Sequence, residues 1–223
     1  MIIAVLLILT GAGVWCYPYI TDQLYQLQVE RELDIFSTEK DTENPSFGKL
    51  YQDLKQKNEQ LFREKQKNLT DAFSYEQNTI NLKEYGLSGN YIGFIEIPKM
   101  EVTLPIYLGA NEENMKKGAV HLTQTSYPIG GNNTNCVIAA HRGYSKTAMF
   151  REIEKLEAGD LIYIQNFRET LTYQVKECCV INPTDVDRLL IQEGKDMLTL
   201  LTCHPYRYHY QRYVVFCEKK EFW

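Results

Sequence analysis

The chain has 223 residues, of which 44% are hydrophobic, enough for one sizeable domain with a substantial core and for segments attached to it. Its formal net charge of −5 and the lack of a long basic run argue against nucleic acid as a partner. The six cysteines form neither a CxxC pair nor a zinc-binding pattern, so we expect mostly free thiols and no metal or other cofactor.

The first 20 residues are almost wholly apolar, and no charge precedes Asp22. A run of this length can span the ~30 Å hydrocarbon core of a bilayer. Trp15, Tyr17 and Tyr19 lie where interfacial aromatic residues are common. No small-x-small cleavage site follows the run, which favours an uncleaved transmembrane anchor over residues 1–20 rather than a signal peptide. No Lys or Arg precedes the apolar core, so charge does not predict the orientation.

Residues 21–82 are rich in Glu, Gln and Lys, and their apolar side chains recur at loosely helical spacing. Asn44-Pro45-Ser46 interrupts this pattern, and a second break lies at residues 68–74. The segment therefore predicts an arm of two helices joined by a turn, between the membrane and the folded domain. A solvated spacer is the simplest role for such an arm.

From residue 91 the pattern changes to short strands separated by turns, which predicts a mainly β domain over residues 83–223. Short helices are expected over 111–117, over 148–156, and from the capping segment Asn182-Pro183-Thr184 to Leu190. Seven or eight short strands without βαβ repeats indicate a closed barrel or a sandwich. The predicted strands are 91–97, 102–107, 118–122, 136–140, 161–165, 169–180, 199–202 and 213–217.

Reactive side chains stand at the ends of two predicted strands. Cys203 follows the run Thr199–Thr202, and His141 follows a buried run that ends at Ala140. A cysteine enzyme needs a thiolate and an acid that protonates the leaving amine, and such strand ends can meet in a barrel. His204 and His209 are alternative acids.

Other roles for these residues are more ordinary. A free cysteine is most often a buried structural thiol, and a disulfide between Cys203 and Cys217 would silence the nucleophile. Arg212 begins the last apolar run, so a loop between the last two strands would return it toward the end of the sheet that holds Cys203.

These segments together resemble the sortases, the cysteine transpeptidases of Gram-positive cell surfaces. Thr199-Leu200-Leu201-Thr202-Cys203 fits the TLxTC signature, Arg212 follows at the expected distance, and Ile138–Gly143 is similar to the catalytic-histidine motif. The similarity extends from about Asp71 to Lys219. Residues 94–99, 104–107, 130–131 and 150–159 also follow the pattern of the pilus-assembling class C.

The resemblance implies a sortase-type closed β-barrel of about eight strands with short helices. Cys203 would attack the Thr–Gly bond of an LPxTG-like sorting signal and form a thioacyl enzyme. His141 would be the general acid and base, and Arg212 would donate to the oxyanion or hold the substrate backbone. Thr202 would shape the cysteine site and contribute to substrate binding. An amine would then release the acyl group.

Class C sortases also carry a lid with an Asp-Pro-aromatic motif. The matching triplet here is Asp71-Ala72-Phe73. The resemblance implies that Asp71 pairs with Arg212 and that Phe73 lies on Cys203. Ala72 replaces the usual proline and its fixed φ, which predicts a more mobile lid than is usual in the family.

The expected protein is a single-pass membrane enzyme with its catalytic domain on the extracellular face of a Gram-positive bacterium. Its partners would be pilin or surface proteins that bear LPxTG-like signals, with a Lys amine of a pilin as acceptor. A sortase that attaches proteins to the peptidoglycan precursor is one alternative, and a hydrolytic cysteine peptidase is another. A surface binding module with a degenerate site is the non-enzymatic alternative.

Overall fold

The computed structural model describes residues 2–39, 45–67, 69, 80–143 and 147–221. Within these ranges, single 3-10 turns lie at Leu82–Tyr85, Pro98–Met100, Ile153–Lys155 and Val186–Leu189. The helices are α1 (Ile2–Glu39), α2 (Pro45–Arg63) and α3 (Glu112–Lys117). The strands are β1 (Tyr91–Ile97), β2 (Val102–Leu108), β3 (Ala119–His121), β4 (Thr134–Ala139), β5 (Leu161–Asn166), β6 (Thr170–Ile181), β7 (Asp196–His204) and β8 (Gln211–Lys219).

The strands close into a barrel in the order β1-β2-β3-β4-β7-β8-β6-β5. The pairs β2–β3 and β4–β7 are parallel, and the other neighbours are antiparallel. Every residue of β4 is buried, whereas alternate residues of β5 are only half-buried. A strand covered on both faces reads as a continuous apolar run, and a strand covered on one face alternates. The closed, mainly β barrel predicted from the sequence is therefore confirmed.

The segment 148–156 is not the predicted helix. It contains only the 3-10 turn Ile153–Lys155, and Met149 adopts a left-handed φ of 42° that an α-helix excludes. The helix predicted to end at Leu190 is likewise only the short turn Val186–Leu189. Four apolar side chains imitate a helical period in the first segment because all of them pack into the barrel core: Met149, Phe150, Ile153 and Leu156.

The C-terminal half of α1 packs along the barrel. Val29 and Phe36 are buried, and the Phe36 ring lies edge-on to Phe94 of β1 at 5.4 Å. The Tyr25 hydroxyl donates to the Lys117 carbonyl at 2.8 Å, and Asp22 accepts from the Ala148 amide at 3.1 Å. These contacts tie α1 to the end of α3 and to the segment that follows the loop after β4.

Helix α2 also packs on the barrel through one apolar side. Phe47, Leu50 and Leu54 are buried along it, and the Phe47 ring contacts Phe167 at 5.8 Å. Asn58 accepts from the Tyr127 amide at 2.8 Å, which adds a buried polar contact. The two predicted helices are therefore present, but they are packed against the barrel rather than forming a solvated spacer.

Two further predictions concern the N-terminal anchor and the lid triplet. Among the residues that the structure describes, none of the helices has both the length and the apolar character that a membrane crossing requires. The anchor predicted for residues 1–20 stays a prediction. The predicted lid triplet Asp71-Ala72-Phe73 lies outside the described residues.

A fully buried histidine, His121, ends β3 inside the barrel wall. Its Nε2 lies 3.1 Å from the carbonyl oxygens of Thr125 and Ser126, and its ring stacks on Tyr127 at 4.8 Å. Burial lowers the pKa of His121 to about 4, although the two carbonyls act in the opposite direction. The neutral ring is therefore part of the folded structure at neutral pH.

The free energy of unfolding is expected to fall as the pH decreases from about 6.5 to about 4. Over this window the unfolded chain binds a proton at His121 that the folded chain does not bind, so acid favours unfolding by up to about 3 kcal/mol. Urea unfolding at a series of pH values measures the effect. His121→Gln keeps an N–H donor near the position of Nε2 without titrating, so it should show a flatter profile. Equal slopes for both proteins would contradict the assignment.

Candidate active site

Three strands bring the predicted catalytic residues to one end of the barrel. In the parallel pair β4–β7, Ala139 lies opposite Leu201, so His141 continues to the level of Cys203 two residues further on. In the antiparallel pair β7–β8, Cys203 lies directly opposite Arg212. Directly opposed residues point to the same face of a sheet. The strand register therefore gathers a thiol, an imidazole and a guanidinium at one place.

Cys203 is half-buried near the C-terminal end of β7, and it is not part of a disulfide. The disulfide considered between Cys203 and Cys217 does not form. Cys217 lies five positions along β8 from Arg212, the residue that faces Cys203. Five residues of strand span roughly 17 Å, well beyond the Cα separation that a disulfide allows.

The Arg212 side chain is almost fully buried beside the loop between β7 and β8. One guanidinium nitrogen, Nη1, donates to the carbonyl oxygens of His209 at 2.8 Å and Gln211 at 3.0 Å. These bonds fix the orientation of the guanidinium across from Cys203. Because a guanidinium stays charged and presents rigid donors, it suits a carbonyl oxygen that becomes negative during a reaction.

His141 is half-buried in the segment after β4, and its carbonyl accepts from the Phe150 amide at 3.0 Å. Burial lowers the pKa of His141, and the nearby Lys116 cation lowers it further. The imidazolium is therefore a stronger acid than that of an exposed histidine. This tuning suits a group that takes up a proton and then gives it to a leaving amine.

Thr202 is fully buried, and its hydroxyl donates to the Ala140 carbonyl at 2.7 Å. This bond ties β7 to the residue immediately before His141. The arrangement fits the prediction that Thr202 shapes the cysteine site, whereas its burial leaves no surface for direct contact with a substrate.

A charged cluster beside these residues was missed by sequence reasoning. Arg142 Nη1 lies 2.8 Å from His204 Nδ1, and Arg142 Nη2 lies 2.6 Å from Glu154 Oε2. From the sequence, His204 is considered only as an alternative acid, and Arg142 only as part of a motif. The sequence did contain a positional signal for this cluster. Arg142 directly follows His141, and His204 directly follows Cys203.

Two further predicted residues, Asp71 and Phe73, lie outside the described residues. Their pairing with Arg212 and Cys203 stays a prediction.

The closed barrel carries a thiol, an imidazole and a guanidinium at one end. This combination of fold and side chains indicates a candidate cysteine enzyme. The sequence matches the family described as the sortase domain over residues 95–220. Since that range is more than half of the 223 residues, the chain belongs to the sortase family.

Solved structures of class C sortases resemble this chain. Sortase C1 of pilus island 1 from group B Streptococcus is similar at a TM-score of 0.78 and 28% identity, over 87% of this chain and 93% of that one. Sortase C of Clostridium perfringens SM101 is similar at a TM-score of 0.69 and 31% identity, over 85% of this chain and 97% of that one.

Relatives found by sequence include proteins named Sortase D and Sortase A. Sortase D of Bacillus subtilis is 30% identical over 121 residues, and Sortase A of Bacillus anthracis is 31% identical over 124 residues. These matches cover 54% and 56% of this chain. The chain spans 58% of the length of the first relative and 57% of the second.

Proposed function

We propose that the protein is a class C sortase that polymerises pilins. It cleaves an LPxTG-like sorting signal between Thr and Gly and joins the new acyl group to a Lys amine of a pilin subunit. The observation that carries the proposal is the strand register, in which Cys203 faces Arg212 and the His141 segment continues to the same level. The similarity to the group B Streptococcus pilus-island sortase supports the pilin as substrate.

The first half of the proposed reaction forms a thioester. The Cys203 thiolate attacks the carbonyl carbon of the signal threonine, and the carbonyl oxygen gains negative charge beside Arg212. The C–N bond to glycine then breaks as the His141 imidazolium gives its proton to the departing amine. The acyl group stays on sulfur, the imidazole is neutral, and the glycine-containing peptide leaves.

The second half transfers the acyl group to an amine. A Lys Nζ attacks the thioester carbon, neutral His141 takes the proton that the amine loses, and the C–S bond breaks to regenerate the thiolate. Isopeptide formation requires that the amine reach the thioester before water does. The reaction needs no cofactor, because the thioester conserves the energy of the cleaved peptide bond.

The proposal extends to the location of the enzyme. Sorting signals and pilin lysines meet outside the cell, so we place the catalytic barrel on the extracellular face of a Gram-positive membrane, held by a single-pass anchor at residues 1–20. The apolar run before Asp22 supports this location. The packing of α1 on the barrel would connect such an anchor closely to the catalytic domain.

A competition assay tests the function. The purified full chain is given a panel of LPxTG-like peptides with three acceptors: a pilin that carries its lysine, a peptidoglycan-stem amine, and water alone. We expect a thioacyl adduct on Cys203 by mass spectrometry and transfer chiefly to the pilin lysine. Transfer only to the stem amine would instead identify a cell-wall anchoring sortase. Release only to water would identify a peptidase, and no adduct with any peptide would overturn the proposal.

A further inference from the structure

The main-chain ladder between β4 and β7 ends just short of the catalytic residues. The paired register of these strands ends at Ala139 and Leu201, and the Ala140 amide donates to the Leu201 carbonyl at 3.2 Å. His141 and Cys203 follow this paired stretch. Side-chain bonds add to the ladder in holding the two residues.

Two side-chain bonds bracket the catalytic pair. Thr202 Oγ1 donates to the Ala140 carbonyl at 2.7 Å, one residue before each catalytic position. Arg142 Nη1 donates to His204 Nδ1 at 2.8 Å, one residue after each. The bonds 140–202 and 142–204 thus stand on either side of the pair 141–203.

Glu154 completes the second bond. Its Oε2 lies 2.6 Å from Arg142 Nη2, and its Oε1 lies 3.4 Å from His204 Nδ1. The Arg142 side chain is 5% exposed and that of Glu154 is 50% exposed, so a half-exposed carboxylate neutralises a buried guanidinium. A buried charge without such partners is costly, which makes all three side chains mutually dependent.

The Arg142 contact defines the hydrogen-bonding role of His204 Nδ1. A guanidinium can only donate hydrogen bonds, so His204 Nδ1 is the acceptor in this contact. An asparagine carries its side-chain oxygen near the position of Nδ1, whereas a glutamine reaches toward that of Nε2.

The cluster lies on the reverse side of the strands from the reactive groups. Cys203 and Arg212 are direct partners on one face of β7–β8, and successive residues of a strand point to opposite faces. His204 therefore points away from that face, and its ring packs 5.9 Å from that of Tyr213. The Arg142 guanidinium lies 5.9 Å from the same Tyr213 ring.

We infer that Arg142, His204 and Glu154 form a positioning clamp, which holds the strand ends of His141 and Cys203 in reacting register without touching the substrate. The inference rests on the proposed function, because it names residues that serve that reaction. It assigns to His204 an acceptor role in place of the acid role considered from the sequence.

A set of matched variants tests the clamp. Arg142→Gln and His204→Gln break the bond, whereas His204→Asn keeps an acceptor near Nδ1. Small displacements of reacting groups cost on the order of 10²-fold in rate, so we expect that loss in single-turnover acylation for the first two, with KM changed less than about 3-fold. His204→Asn should recover all but about 3-fold of the rate. Arg188→Gln removes an exposed Arg–Glu pair, Arg188–Glu177 at 2.8 Å, and should leave acylation unchanged.

A second readout does not depend on the sorting peptide. Iodoacetamide labelling of Cys203 at pH 7, located by peptide mass spectrometry, reports how well the thiol is activated by its neighbours. Arg142→Gln and His204→Gln should label several-fold more slowly than the unmodified protein, and His204→Asn and Arg188→Gln should not. Thermal unfolding checks that each variant is folded, and the Asn and Gln pair at position 204 remains a fair comparison if Arg142→Gln is unstable.

The outcomes separate the clamp from the function. If no peptide acylates the unmodified protein but the labelling pattern holds, the proposed function fails and the clamp stands. If the unmodified protein is acylated and both bond-breaking variants react at its rate, the clamp is overturned. Equal losses for His204→Asn and His204→Gln would overturn the acceptor role of Nδ1.

Discussion

Replacing Cys203 by alanine is expected to abolish thioacyl formation, with turnover reduced by on the order of 10⁴-fold or more. The reason is that the proposed reaction passes through a bond to this sulfur, and the neighbouring donors cannot form it without a nucleophile. The measurement is intact-protein mass spectrometry after incubation with a sorting peptide, together with product formation over time. The backbone of β7 should be unaffected, because the thiol is only half-buried.

Cys179→Ala is the matched control. Cys179 is also half-buried and lies on β6, but burial raises its pKa, so its thiol is a poor nucleophile at neutral pH. We expect this variant to react at the rate of the unmodified protein. An acyl group trapped on another cysteine in Cys203→Ala would show that the nucleophile has been assigned wrongly.

Replacing His141 by alanine is expected to lower turnover by about 10³-fold to 10⁴-fold, the upper range for loss of a general acid. The glycine amine cannot leave as an anion. The tetrahedral intermediate therefore expels the Cys203 thiolate again and reverts to uncleaved substrate. Single-turnover kinetics with an amide substrate measures this loss. His209→Ala and His204→Ala are the comparison variants, and we expect both to retain more activity than His141→Ala.

A substrate with a different leaving group makes this test specific. In a thioester analogue of the sorting signal the departing thiolate needs no proton, so His141→Ala should recover most of its acylation rate. Cys203→Ala should stay inactive with the same analogue. If His204→Ala were the more damaging change and the one rescued by the thioester, the general-acid role would belong to His204.

The strand pattern could be predicted where local sequence decides it. Tyr91–Ile97 was expected with its observed bounds, because an apolar run that ends in Ile97-Pro98 leaves little choice. The strand that carries Cys203 is longer than the predicted core 199–202. It begins at Asp196, which pairs with Thr134 of β4, and such pairing across the barrel is invisible in the local pattern.

The helix predicted at 148–156 was wrong, although the local pattern favoured it. Apolar residues at helical spacing were present, but their periodicity came from packing into the barrel core, and the backbone turns at Met149. The prediction that the helical arm is a solvated spacer was wrong for a related reason. Its two helices could be predicted, whereas their packing on the barrel depended on partners such as Phe94 and Phe167 that lie far away in sequence.

The sequence by itself predicted the chemistry proposed for this protein and determined the kind of fold that holds the candidate residues. Reactive residue types, strand-forming runs and turn signals are local properties. They made Cys203, His141 and Arg212 candidates and left a closed barrel or a sandwich, and the resemblance to sortases chose among these alternatives. Only the tertiary structure decided which strand ends meet. The parallel pairing of β4 with β7, and the bond between Arg142 and His204 at a separation of 62 residues, follow from how the barrel closes. No local pattern encodes that closure, because it depends on the packing of all the strands at once.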